Sequence, residues 1–388
     1  MKIIKTTDLK IGSKYSKPLY LDKDSIFINA NTIITESDIS RLQKFGFKEV
    51  MTLGEVLEDQ KDEMILDDSL GLNNSEIEYK NIQLKSTFIY IQKQIPIFEE
   101  LFKECFTTIQ NVYRRISEDK PIEINPIREI AEKISDHVKS NPHLAYCIIT
   151  HHPTGYYLYN QVLYSSFFAS LIGHLQEFSK PKLIELTIAS LVADIGMAKI
   201  PSIISEKTSV LTEDEFKIIK KHPLFGYQIL TKVMKLKNSL GLIALQHHEN
   251  FDGTGYPQRL SKKDIDENSR LFTIADTFSA YILDRPWRKG ILPYEALKSM
   301  ISVNAHKYDL TYVRAFLNKI AMYPTGSWVE LSDGKKAVVI DSNNGKPLRP
   351  IIMILKDSNN LKLREPIFTN LAEDEKTLIT KAIPSENN

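Results

Sequence analysis

HHENFDGTGYPQRL, residues 247–260, decides how this chain is read. It closes the apolar run LGLIAL with two adjacent histidines, then turns at once into a tight loop marked by Asp252-Gly253 and Gly255. Adjacent imidazoles point in different directions on a regular helix, yet at a helix end both can converge on one ion. Paired histidines also occur by chance, so the pair gains meaning only from its neighbours.

Working outward, Asp194 is the sole charge in LTIASLVADIGM and Asp276 the sole charge in LFTIADTFSAYIL. A helix apolar on nearly all sides is buried, and an unpaired buried carboxylate costs several kcal/mol. Each Asp therefore needs a backbone cap, a cationic side chain or a metal. His222 lies in TEDEFKIIKKHPLFGYQIL, where Thr212 and Glu215 have capping-box spacing and Pro223 is expected to kink or interrupt the helix. A lone helical His is usually structural. Three imidazoles and two carboxylates on buried helices, however, form a ligand set suited to iron, manganese or zinc. Beyond Asp276, DRPWRK carries Arg285 and Arg288 three residues apart. Such a pair near a metal suits a phosphate group, and away from one it is a solvated charge pair.

The rest of the chain frames these motifs. At 388 residues it suggests two or three domains, with 42% hydrophobic and 26% charged residues and a net charge of +1. That balance provides no overall field for nucleic acid or anionic membranes. Cys105 and Cys147 fit no disulfide framework or zinc spacing, and read as buried thiols in a reducing cytoplasm. The lack of a membrane-length apolar run and of a signal-peptide core leads to the same expectation of a cytoplasmic protein.

Residues 1–54 read as a small α+β unit, with strands near Lys2–Lys5, Pro18–Leu21 and Ser25–Asn29 and a short helix from Thr35 to Gly46. Residues 55–95 read as a linker and leading helix, the stretch to about 85 being irregular. Residues 96–325 form the helical domain, with Ile97, Leu101 and Phe106, then Ile127, Ile130 and Ile134, at helical steps. Residues 326–388 form a small β extension, with a hairpin at Asp333-Gly334, a strand at IIMIL and a frayed end.

Together, LVADIGMAKIP, HHENFDGTGYP and RLFTIADTFSAYILDRPWR resemble the HD-GYP family, a helical branch of the HD superfamily of metal-dependent phosphohydrolases, over about residues 125–325. KTTDLKIGSKYSKPLYLDKDSIFINANTIIT resembles the domain often preceding HD-GYP, and YPTGSWVELSDGKKAVVIDSNNGKPLRPIIMIL its C-terminal β extension. The resemblance implies a mainly α fold, a helical HD-superfamily bundle flanked by those two small domains. It also implies hydrolysis of cyclic-di-GMP to pGpG and then GMP at a multinuclear iron or manganese centre.

Carried over residue by residue, the resemblance assigns metal ligation to Asp194, His222, His247, His248 and Asp276, with Asp194 bridging and catalytic. It assigns phosphate or substrate contact to Arg285, Arg288 and the loop residues Gly255, Tyr256 and Pro257. Four positions depart from the pattern: Asn160 stands for the first His, Ala193 for the dyad His, Met197 for a phosphate-binding Lys, and Tyr156 for the extra Glu of trinuclear members. Two imidazoles of one metal are thereby lost, while the neighbouring metal keeps its four ligands.

The expectation is a degenerate member holding one iron or manganese ion or none. It would bind a cyclic dinucleotide or contact diguanylate cyclases through the GYP loop, with a homodimer in keeping with the family's habit of self-association. The alternatives are an active phosphodiesterase with replacement ligands, for which His151 and His152 are the candidates, and a scaffold without ligand.

Overall fold

The computed structural model describes residues 2–20, 26–28, 34, 38–39, 42, 49–57, 74–141, 143–302, 304–320, 322–343, 346, 348–374 and 376–384. The chain divides into two compact units, Met1–Gln83 and Leu84–Asn388.

In the first unit, β1 (Lys2–Lys5), β3 (Leu19–Tyr20), β4 (Ile26–Ile28) and β5 (Glu49–Thr52) form a four-stranded sheet in the order β1-β5-β3-β4. β2 (Lys14–Tyr15) pairs with β6 (Val56–Leu57). The three expected strands are present. Leu19, Ile28, Ile34, Leu42 and Val50 make a small core. Asp38, Ile39 and Leu42 are helical, while Thr35 and Gly46, the expected ends of that helix, lie outside the described residues.

The second unit is mainly helical. Its α-helices among the described residues are α1 (Asn74–Ser117, from Leu84 onward in this unit), α2 (Asn125–Ser140), α3 (Leu144–Thr150), α4 (Tyr157–Leu175), α5 (Lys180–Leu191), α6 (Ser202–Ser205), α7 (Glu213–Ile219), α8 (His222–Gln228), α9 (Asn238–Gln246), α10 (Glu267–Ile282), α11 (Pro293–Ser302) and α12 (Leu310–Ile320). α1 begins at Asn74, inside the stretch expected to be irregular. Its first turns are too polar for the periodicity test, yet their Glu, Lys, Gln and Leu are good helix formers. The buried stripe of α1 is also one residue off the expected register. Phe98, Phe102, Cys105, Ile109 and Val112 are buried, whereas Ile97 is about half exposed. In α2, Ile127, Ile130 and Ile134 are buried as expected.

α4 is the central rod, buried on every side from Asn160 to Gly173. It packs along α10, with Phe168 and Phe278 edge to face at 5.1 Å. A helix so enclosed must pair each polar side chain internally, and Asn160, Gln161, Ser165, Ser166 and Ser170 all meet that demand at least in part.

β7 (Trp328–Leu331), β8 (Lys336–Asp341), β9 (Ile351–Lys356), β10 (Lys362–Asn370) and β11 (Ile379–Ile383) build a five-stranded antiparallel sheet in the order β10-β9-β8-β7-β11. The hairpin is where Asp333-Gly334 placed it, with Trp328 opposite Val338, and Ile351–Lys356 supplies the expected third strand. β10 and β11 were not anticipated. Both are edge strands with polar faces, and β10 carries Pro366, which only an edge tolerates.

Candidate metal centre and its cleft

Asp194 follows α5 at the start of the 3-10 turn Ile195–Lys199, and His222 opens α8. Gly196 allows the two to meet. A Cβ added there would lie 2.0 Å from the carbonyl oxygen of His222 and 2.5 Å from the amide nitrogen of Gly226, so only glycine permits this backbone approach. Pro223 does interrupt the helix as expected, by starting α8 afresh at its first turn after the Thr212–Glu215 capping box has opened α7. His247 caps the C-terminus of α9 and His248 follows it.

One ligand atom from each of Asp194, His222, His247 and His248 lies within 4.8 Å of the others. The tautomers follow from the hydrogen bonds. Nδ1 of His222 is 2.8 Å from the carbonyl of Ile219, and Nδ1 of His247 is 3.0 Å from the carbonyls of Ile243 and Ala244. A carbonyl only accepts, so both Nδ1 atoms donate and both Nε2 atoms carry lone pairs.

Those lone pairs face each other at 3.3 Å, and an Asp194 oxygen lies 3.2 Å from one and 3.5 Å from the other. Three acceptors turned inward in a buried place require a cation between them, and the donor set fits a divalent metal. A proton is the alternative occupant: burial alone would lower the His247 imidazole, but the Asp194 carboxylate outweighs it and raises it. Burial holds the His248 ring well below its usual value, so it stays neutral and able to ligate. The ring stacks on Tyr256 at 4.7 Å.

Asp276 stands beside this cluster without joining it. Gln161 donates from Nε2 to its carboxylate at 2.7 Å and to its carbonyl at 2.9 Å, and the Ser165 hydroxyl donates to the same carboxylate oxygen at 3.1 Å. Burial, reinforced by Asp194 nearby, raises the Asp276 carboxyl. Arg285 reaches the Gln161 oxygen at 3.4 Å, while its buried Nε has no partner. Asp194, His222, His248, Gln161, Asp276 and Arg285 line a cleft of about 530 Å³ with apolar walls that include Tyr157, Met197, Phe216 and Trp287.

Several sequence-expected residues sit elsewhere. Asn160 turns away and donates to the carbonyl of Thr154 at 3.2 Å; its neighbour Gln161 is the one in the cleft. On a helix buried all round, spacing alone could not choose between them. Tyr156 likewise lines a different cavity, and Tyr157 faces the cleft. Ala193 is fully buried and offers no ligand atom, and Met197 borders the cleft.

The arginine pair splits. Arg288 gives its guanidinium to the carbonyls of Ala280 and Tyr281 at the end of α10 and to that of Lys289 beside it, so it caps a helix rather than facing the cleft. The turn that separates them is closed by backbone bonds between Arg285 and Arg288. His151 packs its ring 4.6 Å from that of Phe102, and His152 is exposed, so neither joins the described metal cluster.

Gly255 is structural, because a Cβ there would lie 2.4 Å from the Glu249 Cα and the Asn250 nitrogen. Pro257 is exposed. Glu249, whose role the sequence did not disclose, is buried and accepts from the backbone amides of Gln258 at 2.6 Å and Leu260 at 3.0 Å. It holds the loop that carries Tyr256.

Residues 144–312 match the family model "HD domain" and residues 328–387 match "KOW domain associated with HD domain". The chain is 28% identical over 267 residues to "Cyclic di-GMP phosphodiesterase PA4108" of Pseudomonas aeruginosa, covering 69% of this chain and 64% of that protein. It is 35% identical over 181 residues to "Cyclic di-GMP phosphodiesterase PdeB" of Borreliella burgdorferi, covering 47% and 48%. The matches thus span less than two thirds of either relative. Among solved structures, "Bd1817, a HDG"Y"P protein from Bdellovibrio bacteriovorus" has a TM-score of 0.49 at 17% identity, covering 81% of this chain and 97% of that one. Residues 144–312 are thus an HD domain by their match, and the relatives similar to this stretch are named as cyclic di-GMP phosphodiesterases. No helix among the described residues is long and apolar enough to cross a membrane.

Proposed function

We propose that this chain binds cyclic-di-GMP or a related cyclic dinucleotide in the cleft, on a single iron or manganese ion, with weak hydrolysis or none. One contrast carries the reading. The acceptor cluster of Asp194, His222, His247 and His248 is complete, whereas Asp276 is tied to an amide and Ala193 contributes nothing beside it. Gln161 stands in for the imidazole that a second metal would use. A neutral amide that donates to a carboxylate competes with a cation for it.

The ion, when bound, supplies Lewis acidity to a phosphate oxygen. Arg285 presents donors to the same phosphodiester, including the unpartnered Nε, and Gln161 fixes its guanidinium. Tyr256 and Trp287 offer ring faces to the bases. Met197 holds no proton to give a leaving group. Loss of a second cation and of that proton donor lowers turnover by several orders of magnitude, at about 1.4 kcal/mol per tenfold. In the same reading the GYP loop, with Pro257 exposed, serves contacts with a diguanylate cyclase or a second copy of the chain.

Anaerobic reconstitution with iron(II) or manganese(II) tests this, with metal per chain, nucleotide binding and cyclic-di-GMP hydrolysis measured beside a His247→Ala control. One ion, nucleotide binding and turnover no faster than the control are expected. Two ions with turnover that His247→Ala abolishes would establish a working phosphodiesterase instead.

A further inference from the structure

From Phe216 to His248 the sequence holds six lysines and no acidic residue or arginine, so a chain of net charge +1 contains one strongly basic segment. Much of that segment is a single helical path. α7 and α8 are separated only by Lys220 and Lys221, which both keep right-handed helical backbone angles, and a π-helical turn, Ile229–Val233, continues α8. One side of the path is buried through His222, Gly226, Ile229 and Leu230. On the other side Lys217, Lys221, Leu224, Gln228 and Lys232 recur at steps of three or four, so they share a face; all but the half-buried Gln228 are exposed.

Lys217 pairs with Asp214 at 2.8 Å, and Lys220 lies over the rings of Phe216 and Tyr256 beside the cleft. Lys221, Lys232, Lys235 and Lys237 are exposed and meet no acid among the described residues. Aliphatic side chains project between them: Leu224 is 46% exposed and Val233 65%. Like charges a helical turn apart repel one another, and apolar tips among them gain nothing from water.

We propose that this face docks on a bilayer surface bearing anionic lipid headgroups. The lysines are drawn to its diffuse negative potential, and the aliphatic tips between them enter the headgroup boundary. Two other anionic partners fit less well. Protein interfaces are depleted in lysine, and these apolar tips stand singly rather than as a patch. Nucleic-acid recognition favours arginine, which the segment lacks, and aliphatic tips have no role against a phosphate backbone. Docking of this kind requires neither metal nor nucleotide in the cleft.

The test is flotation of the full chain with vesicles of phosphatidylcholine alone and of phosphatidylcholine with phosphatidylserine, at low and high salt. Binding is expected on the phosphatidylserine vesicles, weaker in high salt and negligible on phosphatidylcholine alone. Lys221→Gln with Lys232→Gln should weaken it about 30-fold, from about fivefold per lysine. Leu224→Gln with Val233→Gln should weaken it at least about fivefold. Lys221→Arg with Lys232→Arg should retain it, which separates lost charge from a disturbed fold, and Lys362→Gln on the exposed edge strand β10 should leave it unchanged. Equal binding to both vesicles, binding to neither, indifference to the glutamine variants, or an equal loss in Lys362→Gln overturns the proposal. So does weakening by the lysine pair alone, which would mark a contact of charge only, and so does tighter binding of duplex DNA through the same lysines.

Discussion

Replacing Glu249 with Ala isolates a single support of the cleft. The side chain is 1% exposed and accepts two backbone N–H bonds, from Gln258 and Leu260. Truncation strands both amides, and a buried unsatisfied donor costs about 1–3 kcal/mol. Gln258 is itself exposed, so water can re-pair its amide after a small loop movement, which favours the lower part of the range for that bond. The expected total is roughly 2–4 kcal/mol. For the Leu84–Asn388 unit it corresponds to a fall of about 3–6 °C in thermal midpoint. Glu249→Gln keeps one acceptor but turns an amino group toward the other amide, so it should recover at most about half of the loss. Because Glu249 is not among the clustered ligand atoms, metal per chain should stay near the wild-type value, while nucleotide affinity drops as Tyr256 loses its fixed position. A midpoint within about 1 °C of wild type would refute this reasoning, since it would mean that Glu249 does not hold the loop.

Four further outcomes are expected. Arg285→Ala should weaken cyclic-di-GMP binding by about 10–100-fold with little change in stability, whereas Arg288→Ala should cost about 1–2 kcal/mol of stability and leave nucleotide affinity alone; calorimetry and thermal melting separate them. Paired substitution Gln161→His with Ala193→His should raise metal content from one toward two ions per chain, read by elemental analysis, and any gain in hydrolysis should accompany it. His222→Ala should lower metal affinity by at least about 100-fold, measured by competition with a chelator. Cys105, whose thiol burial pushes up to about 12, should resist thiol reagents at pH 8 until the protein unfolds. Its sign in stability follows from linkage: the raised value favours the neutral thiol, so its contribution holds below the ordinary thiol range and is lost as pH rises from there through the folded value.

Much of the metal centre was legible because buried charge is conspicuous. Asp194, Asp276, His222 and the histidine pair stand out against apolar runs, and four of the five meet in space. Gln161 was hidden because α4 is enclosed on all sides, leaving no polar face from which to infer direction. Arg288 was misread for a related reason, since spacing cannot reveal that a guanidinium turns back onto the end of the preceding helix. The expected Ile97 stripe failed because α1 buries the neighbouring set beginning at Phe98. In the C-terminal sheet the central strands were readable from the alternation of WVEL and the apolar runs AVVI and IIMIL, while the polar edge strands carry no such pattern.

The contact at Gly196 implies that this centre is inherited from main chain rather than assembled by its ligands. Asp194 and His222 are brought together by two backbones at a distance no side chain could occupy. A change of ligand side chain would therefore leave the receptacle standing, because main chain sets it. The converse also holds: a single methyl group at position 196 would force the two segments apart and dismantle ion binding while every coordinating residue remained in place.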